Sequence, residues 1–294
     1  MKAVLDIAVP IVAFLIMIPV GLELTVTEFR NLSHVPGMLT AALVGQILLL
    51  PLCAIGLVYF LDLKPHIATG LLLIAACPAG GLSNYYAYVA RARTALSVAL
   101  TGGSCFASLG TMPFVTTGYG LYLGTSIEFA APVGRLMGHL VGMLILPVVF
   151  GMALRRYRPA FATRHEAALR RLSLAGLVCL LAYVLSVEGA RVAEEIPEML
   201  AAAGIFLALA MATGYTVGLC SGGDVKDAFT LLIEFAVRNV SIAAAIAVTV
   251  LGRIEFATFA AAYFVIETPI LFAAVLIFRL RYGAATRAPV PFVS

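Results

Sequence analysis

Charged side chains are scarce in this sequence. Only 12% of its 294 residues are Asp, Glu, Lys or Arg, whereas a soluble globular chain carries about 25%. Hydrophobic residues make up 62% of the chain, and the mean hydropathy is +1.06. These values exclude an ordinary soluble globule and indicate an integral membrane protein.

Motifs of enzymes and of metal centres are also absent. The five cysteines lie within or at the ends of apolar stretches, and no two have the spacing of metal ligands or of a disulfide framework. No combination of a nucleophile and a general base is visible. A membrane receptor or an enzyme therefore has little support, and the prediction is that the chain is not an enzyme. The oligomeric state stays open.

Long apolar stretches are abundant. Nine of them have about the 20 residues that an α-helix needs to cross roughly 30 Å of hydrocarbon. The predicted spans are Ala3–Leu24, Pro36–Leu61, His66–Ala90, Thr94–Leu123, Ala131–Leu154, Arg171–Glu188, Ile196–Cys220, Val225–Leu251 and Phe256–Leu280. No separate soluble domain fits between them, so residues 1–294 are predicted to form a single transmembrane domain. The first span is expected to be a retained helix, because no small-residue cleavage site follows it.

Lysine and arginine are distributed unequally over the two sides of this nine-span topology. The loops after spans 1, 3, 5 and 7, together with the C-terminal segment, hold thirteen of them, and the opposite side holds five. The C-terminus is therefore predicted to be cytoplasmic and the N-terminus outside, in the plasma membrane or the bacterial inner membrane. The net charge of +4 is mostly this topology signal and needs no nucleic-acid partner. The basic stretch at 155–171 is predicted to be a loop that contacts anionic lipids.

Two of the spans are interrupted near their middle by polar residues. The stretch "CPAGGLSN" begins at Cys77 in span 3, and "EFAVRN" begins at Glu234 in span 8. Pro78 lacks a backbone donor, and Gly80 and Gly81 weaken the helix, so backbone groups at membrane depth need water, an ion or a ligand. The two spans are five apart and therefore run in opposite directions, which is typical of inverted repeats whose broken helices meet at the midplane.

Three charged residues cannot be placed at the end of a span: Glu234, Arg238 and Glu267. An ionisable side chain near the bilayer centre costs at least about 2.5–3.5 kcal/mol, so it is expected to face a polar cavity or a partner. Glu234 and Arg238 are four residues apart and could instead neutralise each other along one helix. Glu267 could belong to a proton pathway or to the site of a zwitterionic or cationic substrate, because a further carboxylate repels an anion unless it is protonated or paired.

The segment "CPAGGLSNYYAYVARARTALSVALT" at 77–101 resembles the signature of the bile acid:sodium symporter family. The Gln of "ALVGQILLLP" and the Glu and Asn of "IEFAVRN" also stand where that family has them, and the resemblance covers residues 10–278. It implies an all-α integral membrane fold with a panel domain and a core domain, in which two discontinuous helices cross. Family members have ten helices, or nine where the first is missing. This chain resembles the nine-helix form, with spans 1, 5 and 6 in the panel and spans 2–4 and 7–9 in the core.

The resemblance implies one sodium site. The first sodium site of the family corresponds here to Ser83, Asn84, Ser97, Thr101 and Glu234. Hydroxyl, amide and carboxylate oxygens are hard ligands that suit a hard monovalent cation. Ser97 and Thr101 lie four apart, on one face of span 4. Small hydroxyl residues could also simply ease helix packing in lipid.

The resemblance also implies that a second sodium site is altered. The family uses one Gln at the position of Gln46 and another where this chain has Arg238. A guanidinium cannot ligate sodium and stays protonated. Arg238 is therefore predicted to replace the second ion, reaching Gln46 or Glu234, and to leave one coupled sodium. If Arg238 neutralises Glu234 instead, sodium dependence is lost altogether.

The implied function is secondary active uptake of an organic anion with sodium, by alternating access, and the anion is bile-acid-like or a small carboxylate. The N-terminal ends of the half-helices after the two interruptions expose N–H groups that suit a carboxylate. The candidate substrate contacts are the backbone of Gly80, Gly81 and Leu82, the amide of Asn239, and His139 and Glu267 from the facing panel. The family commonly has Thr at the position of Gly81, so a hydroxyl contact is lost here.

The alternative is a proton-coupled or uncoupled carrier or exporter of the related arsenite-permease type. In such a carrier a membrane cysteine binds the metalloid, and Cys77 beside Pro78 permits that role. The Ser83–Asn84 sodium signature argues for the symporter instead.

Overall fold

The computed structural model describes residues 2–24, 36–122 and 133–282, and everything stated below concerns those ranges. The described chain is almost entirely helical, and it contains one isolated β-bridge but no strand. The α-helices are, in chain order, α1 (Lys2–Glu23), α2 (Pro36–Val44), α3 (Leu50–Leu61), α4 (Pro65–Ala76), α5 (Leu82–Ala90), α6 (Thr94–Tyr122), α7 (Val133–Leu140), α8 (Leu146–Tyr157), α9 (Pro159–Val192), α10 (Ile196–Cys220), α11 (Val225–Ala236), α12 (Val240–Ala245) and α13 (Glu255–Tyr282). Single π-helical turns join α2 to α3 and α7 to α8, and a third extends α12 as far as Val250.

Six helical runs in the described ranges are long and apolar enough to cross a membrane. They are Gly37–Leu61, Thr94–Thr117, Gly134–Tyr157, Pro159–Ala190, Ala193–Cys220 and Glu255–Tyr282. The other three predicted spans correspond to shorter apolar helices, Val9–Glu23, Pro65–Ala76 and Val240–Thr249. Two of these three are short because they abut the interruptions. The predicted all-α integral membrane class is confirmed.

The basic stretch at 155–171 is helical, and its prediction as a loop was wrong. Helix α8 ends at Tyr157 and α9 begins at Pro159, so only Arg158 leaves the helical conformation (φ −137°, ψ 58°). Proline is well suited to the first position of a helix, because its missing N–H has no partner there in any case. Arg155 and Arg156 therefore lie in the last turn of α8, and Arg164, Arg170 and Arg171 lie in the first half of the 34-residue helix α9.

Close helix crossings depend on glycine. A Cβ atom at Gly21 of α1 would clash with the carbonyl of Val148 on α8, and one at Gly214 of α10 would clash with the carbonyl of Leu231 on α11. Small residues let helix backbones approach each other in a membrane, where packing replaces the hydrophobic effect as the driving force. As a result α1 packs tightly against α8, and α10 packs tightly against α11.

The two interruptions lie in the interior of the molecule. All residues of 67–80 and of 233–248 are buried, whereas the long helices carry exposed apolar side chains such as Phe114, which is 78% exposed. Helix α13 packs against α4, α5, α9, α10 and α12. A polar group in the interrupted helices must therefore find its partners inside the protein.

Candidate functional site

Two short non-helical segments, 77–81 and 237–239, separate α4 from α5 and α11 from α12. Cys77 is extended at the first (φ −62°, ψ 154°), and Val237 is extended at the second (φ −78°, ψ 103°). Pro78 follows Cys77 directly, disfavours helical conformation in that residue and provides no N–H of its own. Both helices that were predicted to be interrupted are therefore interrupted, at the predicted residues.

The two interruptions are hydrogen-bonded to each other as antiparallel extended chain. The N–H of Gly80 donates to the carbonyl of Val237 (3.0 Å), and the N–H of Asn239 donates to the carbonyl of Pro78 (3.0 Å). These bonds flank the bridge between Ala79 and Arg238. A free backbone group at this depth costs several kcal/mol, so each segment stabilises the other's departure from the helix.

Gly80 permits this close approach. A Cβ atom at residue 80 would lie 2.9 Å from the carbonyl oxygen of Arg238 and 3.3 Å from its carbonyl carbon. Both atoms are backbone atoms that the hydrogen bonds of Pro78 and Val237 already fix. Any other residue at this position would force the two segments apart.

Five oxygen-bearing side chains from three helices meet beside the interruptions, and all five are buried. They are Ser83 and Asn84 of α5, Ser97 and Thr101 of α6, and Glu234 of α11. The structure thus brings together all the residues that the resemblance assigns to a first sodium site.

The oxygens of this cluster outnumber the protons available to it. Ser97 Oγ lies 2.5 Å from Glu234 Oε1 and 2.9 Å from Asn84 Oδ1. Thr101 Oγ1 lies 3.2 Å from Asn84 Oδ1, 3.3 and 3.2 Å from the two Glu234 oxygens, and 3.1 Å from Ser83 Oγ. With Glu234 ionised, these six contacts share three hydroxyl protons, so at least three oxygen pairs face each other with no proton between them. A cation among the oxygens, or a proton on Glu234, would relieve that repulsion.

The amide of Asn84 is oriented by a carboxylate outside the cluster. Its Nδ2 donates to Glu23 Oε2, and Arg170 Nη2 donates to the other oxygen of the same carboxylate. Because Glu23 accepts from the amino group, the carbonyl oxygen of Asn84 is directed towards Ser97 and Thr101. Asn84 therefore presents an oxygen, and not an N–H, to the cluster.

Arg238 binds the C-terminal end of α4 and Gln46. Its Nη2 donates to the carbonyl of Cys77 and lies 3.4 Å from the carbonyl oxygen of Ala75, and its Nη1 lies 3.4 Å from Gln46 Oε1. The last carbonyls of a helix carry partial negative charge, which suits a guanidinium. A pairing of Arg238 with Glu234 along one helix does not form, because α11 ends at Ala236, between the two residues. Of the two predicted partners, Gln46 is the one to which Arg238 is hydrogen-bonded.

Arg238 and Gln46 also line a small pocket of about 220 Å³. Its wall includes Cys77 and the hydroxyl residues Ser104 and Ser108 of α6. Cys77 is fully buried here, and it is absent from the lining of the larger cavity described next.

A cavity of about 620 Å³, including its open mouth, lies against the two interruptions. Five of the six predicted substrate contacts line it: Gly80, Gly81, Leu82, Asn239 and Glu267. Much of the remaining wall is apolar and comes from α1 and α9, through residues such as Met17 and Leu177. This combination of an apolar wall and a few convergent polar groups is typical of a small-molecule site.

His139 is a correction, because the structure does not bring it to this cavity. Its Nδ1 is hydrogen-bonded to the carbonyl of Arg135, one turn back on α7, at 2.9 Å. It lines a separate groove together with Pro10, Phe14 and Arg135. The hydrogen bond to Arg135 holds the ring of His139 in that separate groove. The mid-span position of His139 in the sequence was therefore a poor guide to the substrate site.

Two charged residues of the cavity lining escaped prediction, Glu23 and Arg170. Each lies near the predicted end of a span, where a charge is normally a solvated anchor; Arg170 was counted as a topology signal, and Glu23 was placed at a span end. The one signal that could have found Glu23 is its place in "IPVGLEL", where an acidic residue directly follows a long apolar run.

Comparisons with known proteins identify the family of this chain. The profile of the Sodium Bile acid symporter family matches residues 10–195. The "Probable sodium/metabolite cotransporter BASS1, chloroplastic" of Arabidopsis thaliana is 26% identical over 223 residues, which is 76% of this chain and 54% of that protein. The "Uncharacterized sodium-dependent transporter YocS" of Bacillus subtilis is 27% identical over 172 residues, 58% of this chain and 52% of that protein.

A human relative aligns over a smaller part of the chain. The "Hepatic sodium/bile acid cotransporter" of Homo sapiens is 29% identical over 150 residues, 50% of this chain and 42% of that protein. The chain thus spans about half the length of the curated relatives it matches.

Proposed function

The chain belongs to the sodium bile acid symporter family, and from that premise we propose that it is a secondary active transporter that moves an organic anion inward together with sodium. The observation that carries the proposal is the cluster of Ser83, Asn84, Ser97, Thr101 and Glu234, whose oxygen–oxygen contacts outnumber their hydroxyl protons and would suit a cation. The names of the relatives, which describe sodium-dependent transporters and cotransporters, support the same reading.

The proposed architecture has nine spans arranged as two inverted repeats. A panel domain contains spans 1, 5 and 6, and a core domain contains spans 2–4 and 7–9. The tight packing of α1 against α8 and α9, and of α10 against α11, supports this division. Transport follows by alternating access, with the core rocking against the panel around the two interruptions. The N-terminus is outside and the C-terminus is cytoplasmic, as the lysine and arginine distribution favours.

We propose that one sodium ion is coupled and that Arg238 replaces the second. Glu234, Glu267 and Arg238 are all buried. If all three side chains are ionised, their sum is one negative charge. A single sodium ion bound at Glu234 brings that sum to zero, whereas a second would leave an uncompensated charge at membrane depth.

The substrate is proposed to bind in the cavity beside the interruptions. Gly81 and Leu82, at the N-terminal end of α5, line it, and Asn239 lines the same cavity. A helix N-terminus favours a carboxylate or another anion. The substrate class is therefore an organic anion, either bile-acid-like or a small carboxylate.

A proton-coupled or uncoupled carrier is the second candidate function. The observation that favours it is the 2.5 Å separation of Ser97 Oγ and Glu234 Oε1, since a proton on Glu234 would relieve the repulsion in the cluster as a cation would. Sodium and a proton are thus alternative occupants of one cluster, and they are distinguished by which gradient drives transport.

The test compares two serines of α6 in proteoliposomes. Ser97→Ala removes a hydroxyl that contacts both Asn84 and Glu234, whereas Ser108→Ala, the matched control, removes one that donates only to the carbonyl of Cys105 in its own helix (2.7 Å). Binding of ²²Na⁺ should weaken about tenfold in Ser97→Ala, because a hydrogen bond or ligand to a charged group contributes about 1.5–3 kcal/mol, and it should stay within about twofold in Ser108→Ala.

Uptake of radiolabelled cholate and of small monocarboxylates is then measured under a sodium gradient and under a pH gradient. Uptake that follows the sodium gradient supports the symporter. Uptake that follows the pH gradient alone, with equal ²²Na⁺ binding in both variants, would replace it with the proton-coupled carrier.

A further inference from the structure

An ion pair lies in the wall of the cavity. Arg170 of α9 donates from Nη2 to Glu23 Oε1 at the end of α1, and the same nitrogen lies 3.1 Å from Glu166 Oε1. Both Glu23 and Arg170 line the cavity. The side chain of Glu23 is 11% exposed and that of Arg170 is 30% exposed, so the guanidinium is the more accessible partner.

Arg170 is the cavity cation that an incoming anion can reach. The described lining of the cavity contains two cationic side chains, Arg170 and Arg238. Arg238 is 3% exposed, and its guanidinium is bound to Gln46 and to the end of α4. Among the described residues, the hydrogen-bond partners of Arg170 are the carboxylates of Glu23 and Glu166, and Glu166 has a second cation within reach, since Arg155 Nη1 lies 3.4 Å from it.

Glu23 joins this ion pair to the oxygen cluster. One of its carboxylate oxygens accepts from Arg170, and the other accepts from the amide of Asn84. The carbonyl oxygen of that amide contacts Ser97 and Thr101, which in turn contact Glu234. A continuous chain of polar contacts therefore runs from the cavity wall to the cluster.

We propose that the anionic group of the substrate binds Arg170 in exchange for Glu23, and that this exchange strengthens sodium binding through Asn84. When Arg170 releases Glu23, the negative charge of Glu23 is no longer neutralised by the guanidinium and acts on the amide of Asn84 alone. That charge polarises the amide and makes its carbonyl oxygen a better ligand for a cation. Arg170 is thus a specificity-determining residue, and Glu23 is a positioning residue that links substrate to ion. The exchange rests on the proposed function, because it needs an anionic substrate and a cation at Glu234.

Linkage makes the exchange measurable in both directions. If the bound anion raises sodium affinity by some factor, sodium must raise anion affinity by the same factor. A residue with a merely structural role would change stability or both affinities together, but it would not abolish their dependence on each other.

The experiment titrates purified protein with ²²Na⁺ and with radiolabelled cholate and a set of small monocarboxylates, each ligand alone and in the presence of the other. The variants are Arg170→Gln, Arg170→Lys and Glu23→Gln. The matched control is Arg171→Gln, which removes the exposed neighbouring arginine of the same helix, a residue that does not line the cavity. Thermal unfolding of each variant shows whether it is folded.

Arg170→Gln should weaken carboxylate binding at least about tenfold, as expected for the loss of a charge-assisted contact, and Arg170→Lys should recover part of it. Glu23→Gln should bind carboxylate as tightly as the wild type or more tightly, because the competing charge is gone, but sodium and carboxylate should no longer affect each other by more than about twofold. Arg171→Gln should match the wild type. Unchanged carboxylate affinity in Arg170→Gln, or intact linkage in Glu23→Gln, overturns the exchange.

The outcomes separate this inference from the proposed function. Wild-type protein that binds sodium but none of the carboxylates overturns the exchange and leaves a sodium site at Glu234 standing. Wild-type protein that binds carboxylate through Arg170 but does not bind sodium keeps Arg170 as the anion-binding residue; it overturns both sodium coupling and the role of Glu23 in it. If Arg170→Gln does not fold, Arg170→Lys and Glu23→Gln still decide the matter.

Discussion

The polar clusters around Glu234 and around Arg238 adjoin the same pair of interruptions, and they balance their charge in different ways. At Glu234, hydroxyl and amide oxygens surround a carboxylate with too few protons between them. At Arg238, a guanidinium already supplies the positive charge and binds Gln46 and the end of α4. Under the proposed function the first cluster takes its cation from solution, whereas the second carries its positive charge on Arg238. The proposal therefore predicts that one substitution changes how many ions the site binds.

The two clusters also adjoin the same backbone hydrogen bonds. These bonds join segment 77–81, which leads into α5 with Ser83 and Asn84, to segment 237–239, which contains Arg238. A change in one interruption is therefore expected to reach both clusters. Four substitutions test this difference between the clusters, beginning with the one of largest expected effect.

Glu234→Gln should abolish the difference by removing the carboxylate from the first cluster. Loss of one partner from a buried charged contact costs about 2–5 kcal/mol, so the affinity for ²²Na⁺ should fall at least about thirtyfold. Glu255→Gln is the control, because it changes an acidic residue near the surface whose Oε1 lies 3.3 Å from Arg253. Sodium affinity that survives in Glu234→Gln would show that the cation is held elsewhere.

Arg238→Gln should make the second cluster resemble the first. It replaces the guanidinium by an amide whose oxygen can ligate sodium next to Gln46, so the Hill slope of sodium-dependent uptake should rise from about one to about two. Arg279→Gln, at the exposed end of α13, is the control for loss of a charge. A slope near two in the wild type would refute the replacement of an ion by Arg238.

Gly80→Ala should disturb both clusters by separating the two interruptions. The added Cβ would lie 2.9 Å from a backbone oxygen, and overpacking of this kind costs about 1–3 kcal/mol. Gly110→Ala on α6 is the matched control, because a Cβ there meets open space. The midpoint of thermal unfolding should fall in Gly80→Ala only. Equal midpoints in the two variants would mean that the interruptions are free to move apart.

The smallest effect is expected at the start of α11, the helix that carries Glu234. Asp224 caps this helix by accepting from the N–H groups of Lys226 and Asp227, and Asp224→Ala should cost about 1 kcal/mol. The bond from the Asp227 backbone and the nearby Arg93 guanidinium lower the pKa of Asp224 below its ordinary 3.8. The charged cap is therefore fully stabilising above that value, and its contribution is lost as the pH falls through the lowered pKa.

Thermal unfolding of the wild type and of Asp224→Ala between pH 3 and pH 7 checks this cap. The difference between their midpoints should be constant near neutral pH and should shrink at the acidic end. Asp224→Asn keeps a capping oxygen but has no carboxylate to protonate. The difference between its midpoint and that of Asp224→Ala should therefore not shrink at acidic pH. A difference that does not change with pH would show that the charge of Asp224 contributes nothing to the cap.

Much of this arrangement was predictable because it depends on local chemistry. Pro78 and the paired glycines disfavour helix wherever they occur, so the first interruption follows from residue type alone. Glu234 was conspicuous because a charge within a long apolar run needs a partner. Arg238 was expected beside Gln46 from the family pattern, and the hydrogen bond between them is present.

Other features could not be predicted because they depend on distant contacts. His139 is directed away from the cavity by a bond within its own helix, which a sequence does not distinguish from an inward-facing ring. Residues 155–171 continue as helix across most of a charged stretch, because the helix is long enough for its basic end to extend beyond the apolar segment. Glu23 and Arg170 are 147 positions apart, and each alone is an ordinary charge at the end of a span.

The sequence by itself determined that this chain enters a membrane as helices, where two of them are interrupted, and which oxygens are available for a cation. Those properties follow from hydropathy, from proline and glycine, and from the chemistry of single side chains. The tertiary structure alone decided that the two interruptions satisfy each other's backbone, that Arg238 is bound to the end of α4, and that Glu23 connects Arg170 with Asn84. Inside a membrane a polar group must find its partner within the protein, and only the packing of distant helices selects which partner that is.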